Sequence, residues 1–440
     1  MKNPGNVDLL ITNGTVITLD SANPIISSGA VAVRGDVIAA VGPSGDFIGV
    51  NARETLDAKG GIILPGLVNT HTHLPMTLFR GLADDLPLET WLNDHIFPAE
   101  ARFITPDTVK WATLLACAEM ILSGTTCCCD GYFYEDTVAA ALAETGMRGV
   151  PGQAVIGFPA PGVSDPKTGI DHAVNYIRQW QGRYPHIAPS VLCHAPYTCD
   201  DDTLKTTKAA ANDMGTLFQI HVAETRFERD QSIKEKGKSP VQHLERLGVL
   251  DKNTLLIHCV WLDEADMDIV QKRDAKVAHC PESNMKLASG VAPVPDLLAR
   301  GICVGLGTDG CASNNNLDLF AEMDMAAKLH KVHRLDPTVM DAATVLRMAT
   351  LDGAKALGMA DRIGSLEAGK QADIIVVDTR RPHLTPCFDP LSHLVYAASS
   401  TDVRHVLVAG KMLMRDRRLL TLDVSAIMDE VNAIAASIRS

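Results

Sequence analysis

His71 and His73 stand one residue apart, just after the apolar run Gly61-Ile62-Ile63-Leu64-Pro65-Gly66-Leu67-Val68. Side chains at i and i+2 of an extended chain point to one face, so both imidazoles can reach a single metal ion from a strand tip. Three more short apolar runs end in groups that bind metal or handle protons. They are Leu217-Phe218-Gln219-Ile220 before His221, Leu255-Leu256-Ile257 before His258, and Val304-Gly305-Leu306-Gly307-Thr308 before Asp309. Neutral imidazoles with a carboxylate are the donor set of a catalytic Zn2+ or Fe2+ that keeps one position for water.

For these side chains to meet, the strand ends that carry them must converge. Residues 64–368 alternate strand and helix patterns, with strands expected to end near Asn69, Cys129, Ile156, Cys193, Ile220, Ile257, Ala278 and Leu306. Eight such units predict an α/β fold, a (β/α)8 TIM-type barrel whose C-terminal strand ends share one mouth. His71 and His73 then end strand 1, His194 strand 4, His221 strand 5, His258 strand 6 and Asp309 strand 8. Helix punctuation agrees: Thr105-Pro106 opens a helix that Gly124 closes, and Ser239-Pro240 opens one that Gly248 closes. A doubly wound open sheet is the rival, but no G-x-G-x-x-G follows the first of these strands. Residues 1–63 and 369–440 carry short β-branched runs, with turn pairs at Asn13-Gly14 and Gly35-Asp36 that signal hairpins. Neither end has enough strands for its own core, so together they predict one small β-sandwich built from both chain ends.

His71-Thr72-His73, His221-Val222-Ala223-Glu224, His258 and Thr308-Asp309 resemble the amidohydrolase superfamily, over essentially the whole chain. Two-metal members of that superfamily bridge their ions with a modified Lys at the end of strand 4. Here the stretch reads Val191-Leu192-Cys193-His194-Ala195-Pro196-Tyr197-Thr198, without Lys. The resemblance therefore implies a single-metal, deaminase-like site with His71, His73, His221 and Asp309 as ligands. One Zn2+ per subunit is expected, and Fe2+ fits the same donors. Glu224, three residues past His221, would curl its carboxyl over the attacking water and protonate a ring nitrogen. His258 reads either as a further ligand or as a base in hydrogen-bond reach of that water, with the second favoured. Asp309 would also carry a proton to the departing ammonia.

More closely, the chain resembles the methylthioadenosine/S-adenosylhomocysteine deaminases. The resemblance rests on Trp91-Leu92-Asn93-Asp94-His95-Ile96-Phe97-Pro98-Ala99-Glu100, on His194-Ala195-Pro196-Tyr197-Thr198, on Ser283 to Gly290 and on Gly310 to Asn315. It implies hydrolysis of the 6-amino group of adenosine thioethers, giving the inosine analogue and ammonia. Glu100 would accept from both ribose hydroxyls, as a carboxylate can take two donors at once. His194 would touch the sugar, and Ser313 falls among the substrate-binding residues. Arg148 matches the arginine for the homocysteine carboxylate, although at the start of strand 3 it is placed at the wrong end of a barrel. Trp91 would cover the purine or the thioether, or pack within a helix. The alternative in the same scaffold is hydrolysis of guanine, a pterin or a chlorotriazine; a non-catalytic relative would have lost its metal ligands, and none is missing here.

The net charge of −13 and the lack of a basic stripe argue against nucleic acid or an anionic membrane as partner. A small-molecule nucleoside is the expected partner, and the resemblance implies a homo-oligomer. No secretory signal or apolar membrane span is seen, and eleven scattered cysteines fit reduced thiols, so a cytoplasmic chain is expected. Cys127-Cys128-Cys129 alternate in direction along a strand and read as packing. His279 reads as a satisfied structural residue, and His172, His186, His243, His330, His333, His383, His393 and His405 carry no chemical signal.

Overall fold

The computed structural model describes residues 5–20, 22 and 24–439. Five strands open the chain: β1 (Val7–Ile17), β2 (Ile25–Arg34), β3 (Val37–Pro43), β4 (Ala52–Asp57) and β5 (Ile62–Pro65). Eight follow in alternation with helices: β6 (Leu67–Thr72), β7 (Thr125–Tyr132), β8 (Arg148–Val155), β9 (Ser190–Cys193), β10 (Phe218–Val222), β11 (Thr254–His258), β12 (Lys276–His279) and β13 (Val304–Leu306). Four come last: β14 (Ile374–Val377), β15 (Val403–Val408), β16 (Lys411–Arg415) and β17 (Arg418–Leu419), ahead of the closing helix Val424–Arg439.

Strands β6 to β13 pair in parallel, each with its successor in the chain, as the alternation of patterns predicts. They are buried along their whole lengths, and this explains their continuous apolar runs. Side chains help to close the barrel between β13 and β6. Asn69 Nδ2 donates to Thr308 Oγ1 (2.8 Å), Thr308 N to Asn69 Oδ1 (3.1 Å), Thr70 Oγ1 to Leu306 O (2.8 Å), and Asp309 N to His71 O (3.0 Å). This approach is close enough to require glycine: a Cβ at Gly305 would lie 2.5 Å from Thr70 Cγ2, and one at Gly307 2.9 Å from His71 N. The closure thus welds the His71 strand end to the Asp309 strand end.

The helices obey their punctuation. Thr105 caps Pro106–Leu122 in a capping box, and Ser239 caps Pro240–Leu247, which Gly248 ends in the left-handed conformation.

Both chain ends share one nine-stranded sheet, joined where β5 pairs antiparallel with β14. Its halves pack into a common cluster that includes Ile11, Val33, Ile63, Val376 and Leu407. The terminal sheet extends through Pro65, and the barrel begins at Leu67. Gly35-Asp36 makes the expected turn between β2 and β3. Asn13-Gly14 does not. β1 runs straight through the pair, which forms an irregularity in the ladder with Asn13 at φ 57°. Asn-Gly suits a bulge as well as a hairpin, because both need positive φ. Here β1 is long enough to pair with β2, β4 and β5 at once.

Candidate active site

The C-terminal ends of β6, β10, β11 and β13 bring His71, His73, His221, His258 and Asp309 together. His71 Nε2 and His73 Nε2 each lie 3.4 Å from Asp309 Oδ1, and His221 Nε2 lies 3.3 Å from His71 Nε2. Four donors around a tetrahedral ion at about 2.05 Å sit roughly 3.3 Å apart, so this spacing fits a small divalent cation. Two orienting bonds agree: His73 Nδ1 donates to Gly131 O (2.6 Å) and His221 Nδ1 to His194 O (2.8 Å). Each leaves an Nε2 lone pair facing the cluster.

Electrostatics points the same way. Burial pushes the His71 imidazole down to about 4 and His221 well below its ordinary value, which keeps both neutral and able to donate a lone pair. Burial alone would raise the Asp309 carboxyl, but the bond to His71 and the neighbouring imidazoles hold it well below the usual range. His258 also lies within reach: a trio of His71, His258 and Asp309 overlaps the trio of His71, His73 and His221. Yet His258 Nδ1 meets Asn284 Nδ2 at 3.1 Å, and its Nε2 faces Glu224 Oε2 at 3.6 Å. With the amide donating to Nδ1, Nε2 carries the proton and points across the site as a donor.

Glu224 is 9% exposed, and burial, reinforced by the Asp309 charge, pushes its carboxyl up to about 8. Several residues that set these positions have left-handed backbones: Ala223 (φ 52°), His258 (φ 73°), Cys259 (φ 52°) and Asp309 (φ 63°). Each such conformation costs on the order of 1–3 kcal/mol and persists only where surrounding bonds enforce it.

Beneath His73 lies Asp130, at the end of β7, which the sequence reading passed over in favour of the cysteines before it. Its Oδ1 accepts from Thr72 Oγ1 and from Leu74 N, both at 2.7 Å, so it grips the chain on either side of His73. Glu135 lies alongside, and burial with the Asp130 charge pushes its carboxyl well up. Asp130→Asn weakens this grip while preserving shape. The expected result is a metal affinity lower by about 10- to 100-fold in chelator competition, with near-parental secondary structure. Unchanged affinity would remove Asp130 from the account.

The cluster opens into a cavity lined by His73, Met76, Trp91, His194, Glu224, His258 and Ser313. Beyond Tyr197, Glu224 and Leu287 lies an outer chamber of ≈ 830 Å³ that includes Phe97, Phe158, Phe227 and Trp261. Trp91 is buried and starts the π-helical turn Trp91–Ile96, so it packs and lines the cavity together. His194 sits with its ring 5.1 Å from that of His221 and its Nδ1 2.9 Å from Thr198 Oγ1. Ser283 donates to Asp309 Oδ2 (2.7 Å) and lies 3.0 Å from Ser313 Oγ, one step behind the cluster. Glu100 is buried on the helix Phe97–Phe103 and accepts from Tyr132 Oη, whose ring lies 6.0 Å from that of His73. Burial pushes the Glu100 carboxyl up to about 7.

Arg148 corrects the expectation made for it. It opens β8, 1% exposed, with Nε 2.8 Å from Asp373 Oδ2 and Nη2 2.9 Å from Asp373 Oδ1. The mouth lies at the other end of that strand, about 23 Å away at ~3.3 Å per residue. Both Asp373 oxygens are engaged, and the pair ties the barrel base to the terminal sheet. His279 meets His330 of the helix Leu319–Arg334 at 3.1 Å between Nε2 atoms, a buried contact. Cys127, Cys128 and Cys129 are wholly buried in β7.

Comparison with known proteins agrees with this architecture. The amidohydrolase family matches residues 62–413. A 5-methylthioadenosine/S-adenosylhomocysteine deaminase of Syntrophobacter fumaroxidans is 52% identical over 98% of each chain. A 5'-deoxyadenosine deaminase of Methanosarcina acetivorans is 45% identical over 97% of this chain and 98% of its own. The crystal structure of an adenosine deaminase from Xanthomonas campestris with bound zinc superposes with a TM-score of 0.97, at 40% identity and 99% of each chain. The barrel, its clustered imidazoles and these matches leave one assignment: the chain belongs to the amidohydrolase family.

Proposed function

We propose that this chain is a metal-dependent hydrolytic deaminase of adenosine thioethers. It replaces the 6-amino group of methylthioadenosine or S-adenosylhomocysteine by oxygen and releases ammonia. One observation carries the reading: three imidazoles and Asp309 converge at tetrahedral spacing, with the Glu224 carboxyl and His258 Nε2 facing each other 3.6 Å apart beside them. The similarity to the Syntrophobacter fumaroxidans deaminase supports the substrate class.

His71, His73, His221 and Asp309 are the proposed ligands. A divalent cation there would lower the pKa of a water toward about 7 and so supply a nucleophile at neutral pH. We take the ion as Zn2+, one per chain, a choice supported by the zinc in the 40% identical structure; the same donors serve Fe2+. Glu224, held protonated by burial, gives its proton to N1 and makes C6 electrophilic. His258, fixed by Asn284, holds the attacking water toward C6. The atoms balance: C6 gains the water oxygen and loses the amino nitrogen. Of the two water protons, one ends on N1 through Glu224 and the other on the departing nitrogen through Asp309. Glu100 and His194 are read as ribose contacts, while Trp91 and Ser313 shape the purine end.

The barrel that begins at Leu67 is then the catalytic unit, flanked by the two chain ends that share the terminal sheet. Free cysteines, all buried except Cys387, support a reducing cytoplasmic setting. Among the described residues no helix is long and apolar enough to cross a membrane.

The test is an ammonia-release screen across adenosine derivatives, free bases and pterins. Turnover of adenosine thioethers is expected, and turnover confined to guanine or pterins would overturn the reading. Glu100→Ala sharpens it. Loss of the ribose hydrogen bonds assigned to Glu100 lowers kcat/KM for nucleosides by about 10- to 10²-fold, while any slow turnover of a free base stays as it was.

A further inference from the structure

Glu228 is a buried carboxylate, 7% exposed, that no step of the deamination uses. It occupies the third position of the helix Arg226–Lys236, which Thr225 caps by accepting from Glu228 N at 3.1 Å. In an ordinary capping box the third-position carboxyl returns to the capping residue's own N–H. Here it reaches further back. Its Oε1 accepts from Ala223 N at 2.9 Å and its Oε2 from Glu224 N at 2.8 Å.

We propose that Glu228 is a positioning residue that sets the aim of Glu224. The two amides it grips belong to the peptide units on either side of the left-handed Ala223 (φ 52°), the second of which leads into Glu224. A non-glycine residue holds that conformation only where bonds enforce it. Both carboxylate oxygens are occupied, so a turn of either peptide unit about Ala223 breaks a hydrogen bond, and the two together fix the backbone on both sides of that residue. The chain leaves β10 at Val222, reverses at Ala223, and is pinned before it can carry the Glu224 carboxyl away from His258. Glu228 also stands in the wall between the outer chamber and a neighbouring cavity of ≈ 340 Å³, so the grip replaces packing that the site lacks on that side.

Glu228→Gln leaves the size unchanged and replaces one acceptor by a donor that faces a backbone N–H. Glu228→Asp keeps both acceptors on a shorter arm. Two readouts separate the claim from the deaminase reading on which its kinetic half rests. First, amide exchange at Ala223 and Glu224 is expected to be about 10-fold faster in Glu228→Gln than in the parent, whatever the substrate. Second, kcat on methylthioadenosine is expected to fall by about 10- to 100-fold, with KM within threefold, metal content unchanged, and Glu228→Asp between parent and Gln. Unchanged exchange overturns the grip. Faster exchange with parental kcat per metal-loaded chain, or an Asp variant no better than Gln, overturns the positioning role. A parent silent on every nucleoside strikes the deaminase reading alone, and exchange still decides the grip.

Discussion

Glu224→Gln is expected to retain one metal ion per chain and to lose roughly 10³-fold in kcat, inside the range of about 10²–10⁴ that a positioned acid–base group supplies. The substitution is clean because of the charge state of the site. In the metal-free site burial and the Asp309 carboxylate push Glu224 up to about 8, so its carboxyl is there largely protonated at neutral pH, and a neutral amide of the same shape is its closest stand-in. The amide still donates toward N1, so KM should move little. It cannot release the proton or collect another from water, so kcat carries the loss. Metal analysis alongside steady-state kinetics decides the matter: turnover within tenfold of the parent removes Glu224 from the proton path.

Stability of the metal-free protein gives a second reading of the same group. A carboxyl raised from 4.5 to about 8 on folding contributes stability that is fully present below pH 4.5 and is lost as pH rises through about 8. Glu224→Gln has no such dependence. The chelated variant is therefore expected to melt above the chelated parent at pH 9 and level with it at pH 4.

How much of this was visible in the sequence follows from what periodicity and spacing encode. A histidine or aspartate that terminates an apolar run is placed by the run itself, because a parallel strand in a barrel delivers its last residue to the mouth. His71, His73, His221, His258 and Asp309 are all of this kind, and the structure brings them together. Residues that act by gripping backbone are another matter. Asp130 is hidden behind three cysteines, and its partners, Thr72 and Leu74, lie 58 and 56 positions away in the chain. Glu228 did leave a mark, since Thr225-Arg226-Phe227-Glu228 has the spacing of a capping box. The pattern announces a helix start but not that the carboxyl passes beyond the cap. Asn13-Gly14 misled for a related reason: local turn chemistry is the same in a hairpin and in a bulge, and only the partners of β1 distinguish them.

Arg148 was legible by position and misread by analogy, and it leads to the second large effect. Arg148→Ala is expected to destabilise the fold by about 3–5 kcal/mol, because it leaves a buried carboxylate without its partner. Asp373 is 3% exposed, and its Oδ1 accepts from Ala409 N as well as from Arg148. Removing both members should recover much of the loss: in Arg148→Met/Asp373→Leu the charges vanish together and apolar volume replaces them. The functional outcome is the opposite of what a substrate-binding arginine would give. With the guanidinium at the barrel base, the ratio of kcat/KM for S-adenosylhomocysteine to that for methylthioadenosine should match the parent's in every variant that folds. Denaturant melts measure the first effect and paired kinetics the second. A loss confined to S-adenosylhomocysteine would return Arg148 to the substrate and require a path from the base of β8 to the mouth that the packed barrel does not offer.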